Sequence, residues 1–198
     1  MARQQKSSEH RPAVQRHLDS PLVVDVSRLG RRPGAMVELS EAVPSPVRIG
    51  LELVAIEAGA PVQLDLRLES VSEGVLVTGT VSAPIAGECS RCLTAVPGRV
   101  EVGLTELFAY PDSATEATTD EDEIPRVVDA TVDLEQAIID AVGLELPFSP
   151  LCRPDCPGLC PDCGVSLAAE PDHHHDQIDP RWAKLAGMLE ADPEPGQR

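Results

Sequence analysis

The feature that most restricts what this chain can fold into is Cys152-Arg-Pro-Asp-Cys156-Pro-Gly-Leu-Cys160-Pro-Asp-Cys163-Gly164, with a further pair, Cys89 and Cys92, some sixty residues upstream. Four of the six cysteines fall within twelve residues. A Cys-x-x-Cys spacing lets two thiolates face one ion. Gly164 permits the tight turn that aims backbone N–H groups at the sulfurs of Cys160 and Cys163. Tetrahedral zinc held by Cys and His is what such spacing ordinarily serves. Disulfides or plain buried thiols are the competing reading. The N-terminus has no apolar stretch suited to a secretory signal, and no run approaches the ~18 apolar residues of a membrane helix. The expectation is therefore a cytoplasmic protein without a membrane partner, whose thiols stay reduced and free to bind metal.

Ten residues past Cys163 stands Asp172-His173-His174-His175-Asp176. A His-x-His pair there can supply the two ligands that Cys160 and Cys163 lack. Eight ligand positions divide most economically into two tetrahedra, implying two structural Zn2+ ions. Cys89 and Cys92 would join Cys152 and Cys156, and Cys160 and Cys163 would join His173 and His175. The alternative joins Cys89 and Cys92 to Cys160 and Cys163 and leaves Cys152 and Cys156 spare. Hydrophobic residues make up 42% of the chain but include only two Phe, one Tyr and one Trp, and nineteen prolines divide it into short pieces. A thin aliphatic core of this kind gains from a metal cross-link, because metal binding free energy becomes folding free energy.

From residue 36 to 108 the pattern alternates with period two. Val47, Ile49, Leu51 and Leu53 are expected to share one face of a strand. Val62, Leu64, Leu66 and Leu68 alternate with polar neighbours, Ser72-Glu73-Gly74 turns the chain, and Val75, Val77 and Val81 return. Val100, Val102 and Leu104 follow the first cysteine pair, which therefore falls between two strands. Asp133 to Gln136 has the form of a capping box. Leu134, Ala137, Ile138, Ala141 and Val142 then keep the spacing of an amphipathic helix that Pro147 stops. Asp179 and Pro180 open a last helix with Trp182, Leu185, Ala186 and Leu189 on one face.

The fold class expected is α+β: an antiparallel meander, partly closed, with one packed helix, a zinc-knuckle module and a C-terminal helix. Its divisions are a flexible basic arm at 1–20, a β domain at 21–110, an acidic mobile loop at 111–125, the packed helix at 126–150, the Cys/His module at 151–178 and the last helix with its tail at 179–198.

The net charge of −17 is unevenly spread. Residues 1–32 hold seven basic and three acidic side chains, a balance of +4, and the remainder holds nine against thirty, a balance of −21. Such a body repels phosphates and suits a basic protein partner. The exception is Arg28, Arg31 and Arg32, a compact basic cluster in Ser27-Arg-Leu-Gly-Arg-Arg-Pro-Gly34. It reads as a solvated loop or as a contact for RNA phosphates or an acidic surface.

The order of these motifs, including Leu29-Gly-Arg-Arg-Pro-Gly34, Glu-Cys89-Ser-Arg-Cys92-Leu, Leu144-Glu-Leu-Pro147, the Cys152–Gly164 segment and Asp179-Pro-Arg-Trp182, resembles the YceD family over roughly residues 21 to 190. That resemblance implies a role in accumulation of large-subunit (23S) ribosomal RNA. Family genes often neighbour one for a small protein of the large ribosomal subunit. Many members carry Cys-x-Cys where this chain has His173-His-His175. The implied function is a non-catalytic ribosome-assembly factor whose partner is large-subunit ribosomal RNA precursor, a basic ribosomal protein, or both. An acidic chaperone for a basic ribosomal protein and a direct nucleic-acid-binding zinc protein are the alternatives. The sequence has no His-Glu-x-x-His, nucleophile elbow or phosphate-binding loop, so neither catalysis nor a small-molecule substrate is expected.

Overall fold

A computed structural model describes residues 20–118 and 124–175. These divide into two compact units, the first running through Pro154 and the second beginning at Asp155. The basic arm before Ser20, the centre of the acidic loop and the expected C-terminal helix with Trp182 lie outside the described residues.

The first unit is organised on one long strand, β6 (Gly74–Gly87). Preceding it are β1 (Val23–Asp25), β2 (Met36–Pro44), β3 (Ile49–Gly50), β4 (Val54–Ile56) and β5 (Pro61–Ser70); β7 (Gly98–Ala109) and β8 (Thr131–Asp133) follow. β6 pairs antiparallel with β7 from Gly74↔Ala109 to Ile85↔Gly98. It also pairs with β5 from Ser70↔Val75 to Gln63↔Ser82, and then with β4 at Ala86 and Gly87. β2 extends the sheet beyond β5, and β3 extends it beyond β4. The sheet is open, not partly closed. Closure requires the outer strands to hydrogen-bond to one another, and among the described residues β2 pairs only with β5 and β3 only with β4. A separate two-stranded sheet joins β1 to β8.

The period-two pattern works as a burial code. Val62, Leu64, Leu66 and Leu68 of β5 are buried while Asp65 and Arg67 are exposed; Val100, Val102 and Leu104 of β7 are buried while Glu101 and Thr105 are exposed. The core is mostly aliphatic, with Phe108 its largest fully buried side chain and Tyr110 also within it.

The segment from Val47 to Leu53 departs from the expected single strand. Gly50 has φ +140°, and a Cβ there would lie 2.7 Å from the Val54 carbonyl oxygen. The backbone folds back on itself at this close approach, giving two short strands, β3 and β4, while Val47 is exposed. Arg48 donates to the carbonyls of Leu51 and Glu52 and so holds the turn.

The stretch expected as an acidic loop contains a short helix, α1 (Ala114–Thr118). The Ser113 hydroxyl accepts from the Glu116 N–H, and Glu73 accepts from the Thr115 N–H and hydroxyl. The amphipathic helix is α2 (Glu135–Glu145), which packs Ile138 and Val142 inward against β7 and β3. Its N-cap is Leu134, not Asp133. Asp133 belongs to β8 and its carboxylate accepts from the Glu135 N–H, while Gln136 donates to Asp140 one turn on instead of reaching back. Pairing with β1 holds Asp133 extended, which moves the cap one residue along.

Candidate metal centre

β6 runs directly into the first knuckle. The Cys89 N–H donates to the Thr94 carbonyl, and the Leu93 N–H donates back to the Cys89 carbonyl. The same two bonds recur in the second unit. There the Cys160 N–H donates to the Val165 carbonyl and the Gly164 N–H to the Cys160 carbonyl. In both loops the residue after the second cysteine has a left-handed backbone: Gly164 at φ +74° and Leu93 at φ +58°. The two loops are therefore one backbone device used twice, though only the second has the glycine that makes it legible in sequence.

This turn aims N–H groups at sulfur. The Cys89 thiol is lowered to about 6, chiefly by the backbone N–H of Cys152, with burial opposing and the N–H groups of Arg91 and Cys92 assisting. The Cys160 thiol is also lowered, first by the Cys163 N–H and then by that of Asp162. Hydrogen bonds to the charged form favour a thiolate, which is the state that binds metal.

Two groups of ligand atoms result. Within the first unit the sulfurs of Cys89, Cys92 and Cys152 lie within 4.8 Å of one another, and within the second so do ligand atoms of Cys160, Cys163, His173 and His175. In the first group the Cys92 and Cys152 sulfurs are 3.6 Å apart. A zinc–sulfur bond of ~2.3 Å implies a tetrahedral edge of roughly 3.8 Å. In the second group Cys163 Sγ lies 3.1 Å from His173 Nε2 and 3.2 Å from His175 Nε2, and the two ring nitrogens are 2.9 Å apart. His174 points elsewhere, to the Asp172 carbonyl. Both groups could hold a metal ion, and soft thiolates with imidazole suit zinc. They differ in exposure: Cys89 is buried and Cys92 half-buried in the first, whereas in the second only Cys160 is buried and Cys163 and His175 are exposed.

The arginine cluster occupies the turn between β1 and β2. Leu29 is buried, while Arg28, Arg31 and Arg32 are exposed. The Ser27 N–H donates to Asp25, whose carboxyl is lowered by Ser27 first and also by the nearby Arg28. Tyr110 anchors the loop, a role invisible in the sequence because every partner is distant. Its hydroxyl donates to the Gly30 carbonyl at 3.2 Å and lies 2.8 Å from the Ser70 hydroxyl. The Arg31 guanidinium carbon sits 4.9 Å from the centre of the Tyr110 ring, within cation–π range.

No helix among the described residues is long and apolar enough to cross a membrane. The fold and its ligand groups define an α+β protein with two Cys/His clusters able to bind metal. The model of one family, described as "Large ribosomal RNA subunit accumulation protein YceD", matches residues 77–189, which include both knuckles and Tyr110 but not the arginine loop. The chain belongs to the YceD family. It is 71% identical over 192 residues to the Uncharacterized protein Mb2951c of Mycobacterium bovis, covering 96% of this chain and 93% of that one. It is 66% identical over 179 residues to the Uncharacterized protein ML1660 of Mycobacterium leprae, covering 90% and 82%. To the Uncharacterized protein YlbN of Bacillus subtilis it is 29% identical over 138 residues, covering 68% and 78%. No solved structure matches the chain.

Proposed function

We propose that this chain is a non-catalytic cytoplasmic factor that supports the synthesis, processing or stability of large-subunit ribosomal RNA during ribosome assembly. The family match, whose description names large-subunit RNA accumulation and no reaction, carries this reading. The two ligand groups act as structural zinc sites: sets of four protein donors leave no open position for a substrate. The β unit is then a rigid mount, and Arg28, Arg31 and Arg32 are its contact for RNA phosphates. Arginine suits that task because its planar fork meets phosphate oxygens in pairs.

Depletion tests the role. Large-subunit RNA should fall relative to small-subunit RNA, and replacing Arg31 and Arg32 together with Ala should weaken association with large-subunit precursors while zinc content and melting stay as in the parent. Unchanged RNA levels and subunit profiles after complete depletion would remove the assembly reading. Metal analysis of the pure protein should give two zinc ions per chain; one would sink the two-site assignment. The −21 balance beyond residue 32 favours a second reading, an acidic holder of a basic ribosomal protein. Association with precursor only when that protein is present would select it.

A further inference from the structure

A cleft of about 310 Å3 opens in the first unit beside the arginine loop. Apolar Val26, Val127 and Ala130 line it, together with Asp129, Arg31 and Tyr110. Three observations about these residues point the same way. Arg31 is held with its guanidinium carbon over the Tyr110 ring, 4.9 Å from the ring centre, and its loop by the Tyr110 hydroxyl on the preceding Gly30 carbonyl. Among the described residues it makes no ion pair. Acidic side chains outnumber basic ones 33 to 16, and Arg48, Arg67 and Arg126 each pair with a glutamate, yet among the described residues none of Arg28, Arg31 and Arg32 lies in an ion pair. Finally, the turn across the cleft is a tight two-residue hairpin, with Asp129 and Ala130 at φ +49° and +59° as such a turn requires. Reciprocal bonds between Val128 and Thr131 hold that turn, and the Val26 N–H ties it to the arginine loop through the Ala130 carbonyl. The hairpin wall of the cleft is thereby fixed.

We propose that this cleft is a subsite for one unpaired RNA nucleotide, with its base in the cleft against the open face of the Arg31 guanidinium and its phosphate outside on the loop arginines. The proposal rests on the RNA-contact reading above and gives it a specific form. A guanidinium plane has two faces and an N–H edge. One face of Arg31 rests on Tyr110, the other can stack a splayed-out base, and the edge can meet a phosphate. The volume is at the lower end of ligand pockets and suits a single base, not a duplex. Asp129 makes the interior a poor place for phosphate, which sets the orientation, and its carboxylate at the lining offers a hydrogen-bond acceptor to a base edge.

The test uses the full-length, zinc-loaded protein and three fluorescent probes of equal length and charge: a single-stranded RNA, the same strand with abasic positions, and a hairpin duplex. The parent should bind the intact strand roughly 5- to 150-fold more tightly than the abasic one at one salt concentration, the range one stacked base supplies. Arg31→Lys keeps the charge and loses the plane, so it should keep the salt dependence and lose that preference. Ser27→Leu, at an exposed lining position, should fill the cleft and act likewise. Equal affinity for intact and abasic strands, or an Arg31→Lys variant that keeps the preference, overturns the subsite while leaving a phosphate contact standing. Failure of every probe to bind at low salt overturns the contact reading and this proposal together.

Discussion

Tyr110→Phe is a direct probe of how the arginine loop is fixed to the sheet. The substitution removes one oxygen and keeps the ring, so the aromatic burial and the contact under Arg31 survive. What is lost is a hydroxyl bonded to Ser70 Oγ at 2.8 Å and to the Gly30 carbonyl at 3.2 Å, in a setting where Ser70 is 0% and Tyr110 8% exposed. Each such bond contributes a net ~1 kcal/mol, and the buried Ser70 hydroxyl left without this partner adds to the loss, so the variant should lose about 2 kcal/mol. In a unit of this size that corresponds to a melting temperature lower by roughly 4–8 °C. Ser70→Ala should cost only about 1 kcal/mol, because the Tyr110 hydroxyl keeps the Gly30 carbonyl. The double variant should then lose about 1 kcal/mol less than the two singles added together, since both have removed the same contact. Urea unfolding of the parent, both singles and the double measures every corner of this cycle. Strict additivity, or a Tyr110→Phe protein melting within a degree of the parent, would refute the anchoring argument.

Three further outcomes follow from the ligand groups and the helix. Titration with a chelator should empty the exposed group of Cys160, Cys163, His173 and His175 first, and melting should fall most when the second ion leaves the more buried cysteine group; stoichiometric zinc release followed alongside circular dichroism checks the order. Leu93→Gly should raise stability by about 1 kcal/mol, since Leu93 is 58% exposed and holds the left-handed position that Gly164 fills in the other knuckle; a loss in urea unfolding would show that its side chain packs productively. Burial, and secondarily the charge of Asp140, raises the Glu106 carboxyl above its usual range. A raised carboxyl binds protons more strongly folded than unfolded, so its charged form opposes folding above that range and the penalty disappears on acidification. Glu106→Gln should therefore melt higher than the parent at pH 7.5, with the gap narrowing toward pH 4.

The parts of this fold that could be read in advance are those where one local rule decides. β5 and β7 were legible because each presents one face to the core, so burial writes an alternation into Val62–Leu68 and Val100–Leu104. The cysteines were legible because thiolate pairs at that spacing serve few other purposes. β3 and β4 were not, since Val47, Ile49, Leu51 and Leu53 alternate as a continuous strand would, and only the close backbone approach at Gly50 divides them. The capping box failed because pairing of β8 with β1 outweighs a side-chain preference at Asp133. β2 leaves only a weak pattern because an edge strand buries little, and its residues are mostly exposed. Tyr110 illustrates the general limit: Gly30, Arg31 and Ser70 give it meaning, and they are forty or more positions away.

The two sheets differ greatly in the span of chain each must close. β5 and β6 meet across the few residues between Ser70 and Val75, and β6 and β7 across the knuckle between Ile85 and Gly98. β1 finds β8 only across 110 positions, Val23 with Asp133. Loop-closure entropy grows as the logarithm of length, so bringing β1 home costs about 3 kcal/mol more than closing the β5–β6 hairpin, before any contact offsets it. The meander should therefore form early, with β1 docking among the last events. Amide protons of Val23 to Asp25 should exchange through partial openings that leave β5 to β7 protected. The arginine loop follows β1 directly, so its shape is the last thing folding produces and the first thing a local opening removes. A nascent or loosened chain would hold its β sheet before it could present its basic contact.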